Sequence, residues 1–264
     1  MVVMIRALVD RLLPLAGVAL LIGLWEVAVV VSGTRLVPTP LATLAGIAEL
    51  ARHGLLLRYL VASLFRVSWG YLGAVLLGVP AGLCLGWFRK ADLALGPFLQ
   101  ILRPISPLAW IPLAILWFGV ADPPAIFIIF LASFLPLTVA TMSAVHNVPA
   151  VHLDVGRNFG LTSLGLVRRV LFPAVLPQVI AGLRLTLGIS WLVVVAAEMI
   201  AVNSGLGFLI IDARNAGNRY DLVAAGMVLI GVTGLLLDTA MQRLERLPGV
   251  RWGYPDARRV DAAR

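Results

Sequence analysis

Chemistry in this chain would have to come from few residues. Glu26, Arg184 and Glu198 fall within otherwise apolar stretches, where a charge at a helix centre costs roughly 2.5–3.5 kcal/mol even on permissive scales. Arg184 and Glu198 admit two readings, structural pairing near a membrane edge or lining of a solute path. Trp110 and Trp117 stand seven residues apart beside Pro104, Pro107 and Pro112. That spacing suits either a broken helix lining a transport site or a kinked packing helix with an interfacial tryptophan. His146 and His152 flank Pro149 with no carboxylate or cysteine ligands at matching spacing, so they read as loop residues and no metal is expected. Cys84 is the single cysteine, which rules out an intrachain disulfide and a multi-cysteine zinc site. Paired carboxylates and serine–base constellations at membrane depth are missing. The sole lysine, Lys90, stands in "FRKAD" with no phosphate-cradling glycines before it. Enzymatic catalysis and ATP hydrolysis by this chain are therefore not expected, and no cofactor is called for.

The densest run of polar and backbone-shaping residues is "DVGRNFGLTSLGLVRRVLFPAVLP", residues 154–177. Its first part predicts a short helix with Asp154 in the first turn, ended by Gly160 in the left-handed conformation. Thr162 or Ser163 then caps a second helix with Leu164, Val167 and Leu171 on one face, closed by Pro173. Pro177 falls near the start of the next helix, where a missing N–H costs little. The expected product is a stiff helical elbow suited to docking in a groove of another protein.

Such an elbow needs a scaffold, and composition says which kind. The 264 residues are 61% hydrophobic and 13% charged, with mean hydropathy +0.99, whereas soluble domains run near 45–50% apolar and about 25% charged. Uncharged runs of 22 residues between Arg66 and Arg89 and of 31 between Asp122 and Asp154 exceed the length of a membrane span. Six transmembrane helices are expected near 13–32, 62–87, 98–119, 124–145, 176–200 and 221–241, forming one all-α domain over 1–264. The apolar run from Leu12 to Val31 is too long for a signal peptide and reads as a mature helix. With both termini cytoplasmic, inner segments carry thirteen Lys/Arg, Arg246 to Arg264 included, against six outside, Arg35 and Arg66 among them. The net charge of +8 thus serves topology rather than nucleic-acid binding. Gly78, Gly82 and Gly86 recur every four residues and predict close helix packing. Residues 203–221 read as an outer connector with a short amphipathic surface helix, either touching a partner or merely linking spans.

The elbow's spacing resembles the EAA loop of ABC importer permeases, which reads E-A-A, three residues, G, nine residues, I-x-L-P. Asp154, Val155 and Gly156 stand at E-A-A, Gly160 at the glycine, and Val170, Phe172 and Pro173 at I-x-L-P. Arg157 falls inside the loop, whose extent is 150–173. "RPISPLAWIPLAILWFG", "GLR", "VAAEMIAVNSGLGFLI" and "GLLLD" are similar to the nitrate, sulfonate and taurine branch of binding-protein-dependent permeases. The resemblance implies a type I ABC importer permease fold in the cell inner membrane. It implies a permease pair, a homodimer or a pseudo-twofold pair, with the homodimer expected because one chain offers one elbow, and separate cytoplasmic ATPase subunits that bind ATP and grip the elbows. An external solute-binding protein would deliver a small solute, an anion such as nitrate, taurine or an alkanesulfonate. A secondary transporter or channel, working without an ATPase partner, is the alternative function.

Overall fold

The computed structural model describes residues 2–33, 36–215 and 217–245, with backbone alone for 2–12 and 14. Arg35, Arg246, Arg251, Arg258, Arg259 and Arg264, which entered the topology count, lie outside the described residues, as do the side chains of Arg6 and Arg11.

Packing begins with α3 (Leu55–Trp87) and α6 (Asp122–His146). The small-residue face of α3 is longer than the three glycines anticipated: Gly70, Ala74, Gly78, Gly82 and Gly86 follow one another at four-residue steps. A methyl added at Gly70 would lie 2.7 Å from the Ile126 carbonyl oxygen, and one at Gly82 would lie 2.6 Å from the Thr138 oxygen and Thr141 Cβ. The two backbones therefore touch along the second half of α3, from Gly70 to Gly86, an approach that only absent side chains permit.

α9 (Phe172–Ala201) covers the other side of α6. The Ser133 and Ser190 hydroxyls meet at 2.5 Å in the buried seam, and Tyr71 of α3 donates to the Leu183 carbonyl at 2.7 Å. α11 (Tyr220–Glu245) leans on α9, where the Trp191 indole N–H donates to the Ile230 carbonyl at 3.0 Å. α1 (Val2–Ser32) contributes little to the interior, and most of its described side chains are exposed and apolar, as a lipid-facing helix requires.

Five helices are long and apolar enough to cross a membrane, and a sixth span results if one bent pair is taken together. That pair replaces the single helix expected near 98–119. α4 (Arg89–Leu102) is followed by a 3-10 turn (Pro107–Trp110) and α5 (Ile111–Phe118), at 85° to it. Pro104 and Pro107 supply no N–H across the break, and Ser106 has ψ 129, the extended setting that a following proline imposes.

Two short helices complete the far end, opposite the elbow. α2 (Pro40–Arg52) was not anticipated, although Thr39 accepts from the Ala42 N–H at 3.2 Å and Pro40 occupies the first turn. α10 (Leu206–Asn215) lies within the expected connector but is not a surface helix: Leu206, Gly207, Leu209 and Ala213 are buried against its neighbours.

Candidate functional site

The elbow is built by α7 (Ala150–Asn158), α8 (Ser163–Leu166) and a π turn (Val167–Leu171) that runs into α9. Gly160 has φ +73, the left-handed setting expected of it. Around it the Gly160 N–H donates to the Arg157 carbonyl at 2.9 Å and the Leu161 N–H to the Gly156 carbonyl at 3.1 Å. This is a full Schellman cap. Thr162 then caps α8, its hydroxyl oxygen accepting from the Gly165 N–H at 3.3 Å.

Three local expectations are corrected. Because α7 starts at Ala150, after Pro149, Asp154 is its fifth residue rather than a first-turn residue; it pairs with Arg157 at 2.9 Å on the exposed face. Pro173 does not close the second helix. Its missing N–H and its ring instead disturb the turn before it, which widens so that the Phe172 N–H donates to Val167, five residues back. Leu164 is exposed, and Leu166 and Leu171 are the buried residues of this segment.

Gly156 is the contact point of the elbow. A methyl there would sit 2.6 Å from Leu166 Cδ2 and 3.2 Å from Val170 Cγ2, whereas one at Gly160 would meet open space. Around this joint Val151, Val155, Phe159, Leu164 and Phe172 are exposed, with Arg157, Arg168 and Arg169 among them. A groove of about 640 Å³ runs past His152, Val155, Phe159, Leu161 and Arg169 to Pro173.

Glu198, Arg66 and Arg184 are engaged by the protein itself. Glu198 is wholly buried in the last turn of α9, near the helix end where it was expected. It accepts from Arg66 at 2.6 Å, from the Ser63 hydroxyl at 2.9 Å and from the Gly207 N–H at 2.9 Å. Arg66, counted above as an outer-loop charge, is 2% exposed and also donates to Asp122 at 2.8 Å and the Ser204 carbonyl at 2.8 Å. Gly205 (φ +109) and Gly207 are required by this closure, since a methyl at either would overlap Glu198 or the Val195 carbonyl. Arg184 forms a two-pronged pair with Asp238 of α11 at 2.6 and 3.0 Å, with Glu245 at 3.3 Å beyond. Glu26 is exposed on α1.

Trp110 is half-buried and packs with Ile111 and Ala114 against Phe127, Ile128 and Val193, while Trp117 is exposed at the end of α5. His146 lies 3.8 Å from Asp92. Among the described residues no group of three metal-ligating side chains comes together.

With this geometry in hand, comparison with known proteins decides the family. Residues 74–248 match the family described as binding-protein-dependent transport system inner membrane component. The chain belongs to that family. The permease is 36% identical over 231 residues to the putative aliphatic sulfonates transport permease protein SsuC of Bacillus subtilis, covering 86% of this chain and 83% of that one. It is 38% identical over 179 residues to the nitrate import permease protein NrtB of Leptolyngbya laminosa, covering 68% and 64%. It is 34% identical over 249 residues to the bicarbonate transport system permease protein CmpB of Synechococcus elongatus, covering 89% and 88%. Among solved structures, a chain of the MetNI methionine ABC transporter in an inward-facing form matches with TM-score 0.65 at 20% identity, over 73% of this chain and 95% of that one. The permease therefore has the type I ABC importer permease fold, and it is a transport subunit of the inner membrane.

Sequence reasoning missed Arg66, Ser63, Asp122 and Asp238 as partners of the buried charges. A signal existed for three of them. Ser63 and Arg66 are three apart and share a helix face, and Asp238 ends the quoted "GLLLD".

Proposed function

We propose that this permease carries a small oxyanion across the inner membrane, as a homodimer driven by separate ATPase subunits that grip residues 150–173. The carrying observation is the surface of the elbow. Exposed apolar side chains and three arginines surround an open groove, yet the joint beneath is fixed by the Gly160 cap and by the contact of Gly156 with Leu166. A rigid body with an unpartnered amphipathic surface suits a groove on another subunit. The oxyanion class rests on the three relatives, whose names refer to aliphatic sulfonates, nitrate and bicarbonate.

In this reading both termini and the elbow are cytoplasmic, and the α2–α10 end faces the binding protein. Trp110, where the bent span meets α6 and α9, belongs to the path. Arg184 and Glu198, held by their carboxylate and arginine partners, brace its walls. Four measurements test it: copurification of an ATPase subunit, uptake of nitrate, ethanesulfonate and bicarbonate by cells expressing the full transporter, crosslinking in membranes, and the accessibility of a tag after Arg264. Expected are a bound ATPase, uptake of at least one of the three anions and a crosslinked permease dimer. Uptake that persists without any ATPase, or a tag after Arg264 accessible from outside intact cells, would overturn the reading.

A further inference from the structure

Three arginines stand in the apolar stretches, and their surroundings differ. Arg66 is shared between Glu198 and Asp122, and Arg184 between Asp238 and Glu245. Arg103 is exposed and has no hydrogen bond or ion pair from its side chain to any described residue. It stands where α4 ends, at the 85° break of the bent span, three residues before Ser106, whose hydroxyl is likewise exposed and unpartnered.

Depth follows from the neighbours. The turn just past the break packs Trp110 and Ile111 against Phe127 and Ile128 of α6. Ile128 is six residues from the start of α6 at Asp122 and eighteen from its end at His146. At 1.5 Å per residue that is about 9 Å from one end and about 27 Å from the other. The break itself, residues 103–106, lies between the fourteen residues of α4 and the twelve of the following turn and α5, inside the bent pair that counts as one candidate span. A guanidinium there without a carboxylate is costly, and an anion that visits it relieves the cost.

We propose that Arg103, together with the Ser106 hydroxyl, forms an anion-binding step in the translocation path. The proposal rests on the oxyanion reading above and adds the residue that recognises the charge. A guanidinium presents two parallel N–H groups to two oxygens of a nitrate, sulfonate or bicarbonate group. One arginine, rather than a cluster, keeps the hold weak enough for the anion to move on. The proline-broken backbone supplies the gap in the helix that such a step needs.

The experiment uses the full transporter with its ATPase and binding protein, comparing wild type with Arg103→Gln, Arg103→Lys and Arg103→Cys, the last in a Cys84→Ala background. Uptake of nitrate, ethanesulfonate and bicarbonate is measured at matched membrane abundance and matched ATPase copurification. Arg103→Gln should lower uptake of the transported anion at least tenfold, and Arg103→Lys should fall between it and wild type. The Arg103→Cys variant should react with a charged, water-soluble thiol reagent, more slowly when the transported anion is present. Uptake by Arg103→Gln within twofold of wild type overturns this proposal alone. Failure of the Arg103→Cys variant to react from water assigns the arginine to a lipid headgroup and also overturns it. Uptake of none of the three anions by wild type overturns the oxyanion reading and this step with it.

Discussion

The Arg66 network at the far end and the elbow at the other are both polar breaks in an apolar molecule, yet they are finished differently. Around Arg66 the cation, its two carboxylates, two serines and the Gly207 N–H satisfy one another, and Glu198 and Arg66 are sealed from solvent. At the elbow the backbone groups are satisfied by the cap, while Phe159, Leu164 and the arginines are left open. A polar group that is bonded internally holds helices together; one left open beside apolar surface is available to a partner. The difference lies in bonding, since residue types are shared between the two ends.

The sharpest way to break the comparison is at Glu198. Glu198→Ala leaves Arg66 buried with Asp122 as its one remaining carboxylate, and loss of one partner from a buried pair costs about 3–5 kcal/mol. Thermal unfolding in detergent should show a marked loss of stability with the elbow unchanged, and an unshifted transition would place Glu198 outside the structural network. At the elbow the order of effects should be reversed, with function suffering more than stability. Gly156→Val forces a side chain into Leu166 and Val170, costs about 1–3 kcal/mol as overpacking, and should abolish ATPase copurification and uptake.

Gly160→Val adds no clash, because the space around Gly160 is open; it strains the left-handed cap by roughly 1–2 kcal/mol. Uptake should fall but less than for Gly156→Val at equal abundance, and the opposite order would mean that cap geometry matters more than the helix contact. Asp154→Ala removes an exposed pair worth about 0.2–1 kcal/mol, so uptake should stay within a few-fold of wild type. The smallest effect concerns Glu49 of α2, whose carboxyl is held below its usual range by hydrogen bonds from Arg219. A depressed folded value means that the stabilisation is present above the unfolded value, 4.5, and is lost as pH falls through the folded one. Wild type should therefore lose a little stability below about that pH, and Glu49→Gln should show a smaller loss in a melt series, since Asp221 remains paired with Arg219.

What could be read in the sequence was whatever depends on neighbours along the chain. The left-handed Gly160, the Thr162 cap and the glycine face of α3 follow from local backbone preference and helical spacing. The bend near Pro104 and Pro107 was legible as a bend, although not as two helices at 85°. Asp154 was misplaced because Pro149, outside the quoted passage, sets where α7 begins. Arg66 was misread because its partner Glu198 is 132 residues away, and no local pattern carries that pairing. Burial of α10 was equally hidden, since in a membrane protein an apolar helix face fits lipid as well as protein.

The passage from α8 through the π turn into α9 is one unbroken helical segment of 39 residues, from Ser163 to Ala201. At 1.5 Å per residue it measures about 58 Å, with the elbow at one tip and Glu198 near the other. A stiff beam converts angle into distance. If it pivots at its midpoint, a 10° tilt imposed on the elbow moves the far tip by about 5 Å, and the Glu198 bonds oblige α10 to travel with it. On the proposed coupling, force applied at the elbow would arrive at the other end as displacement, with no relay of separate parts between them.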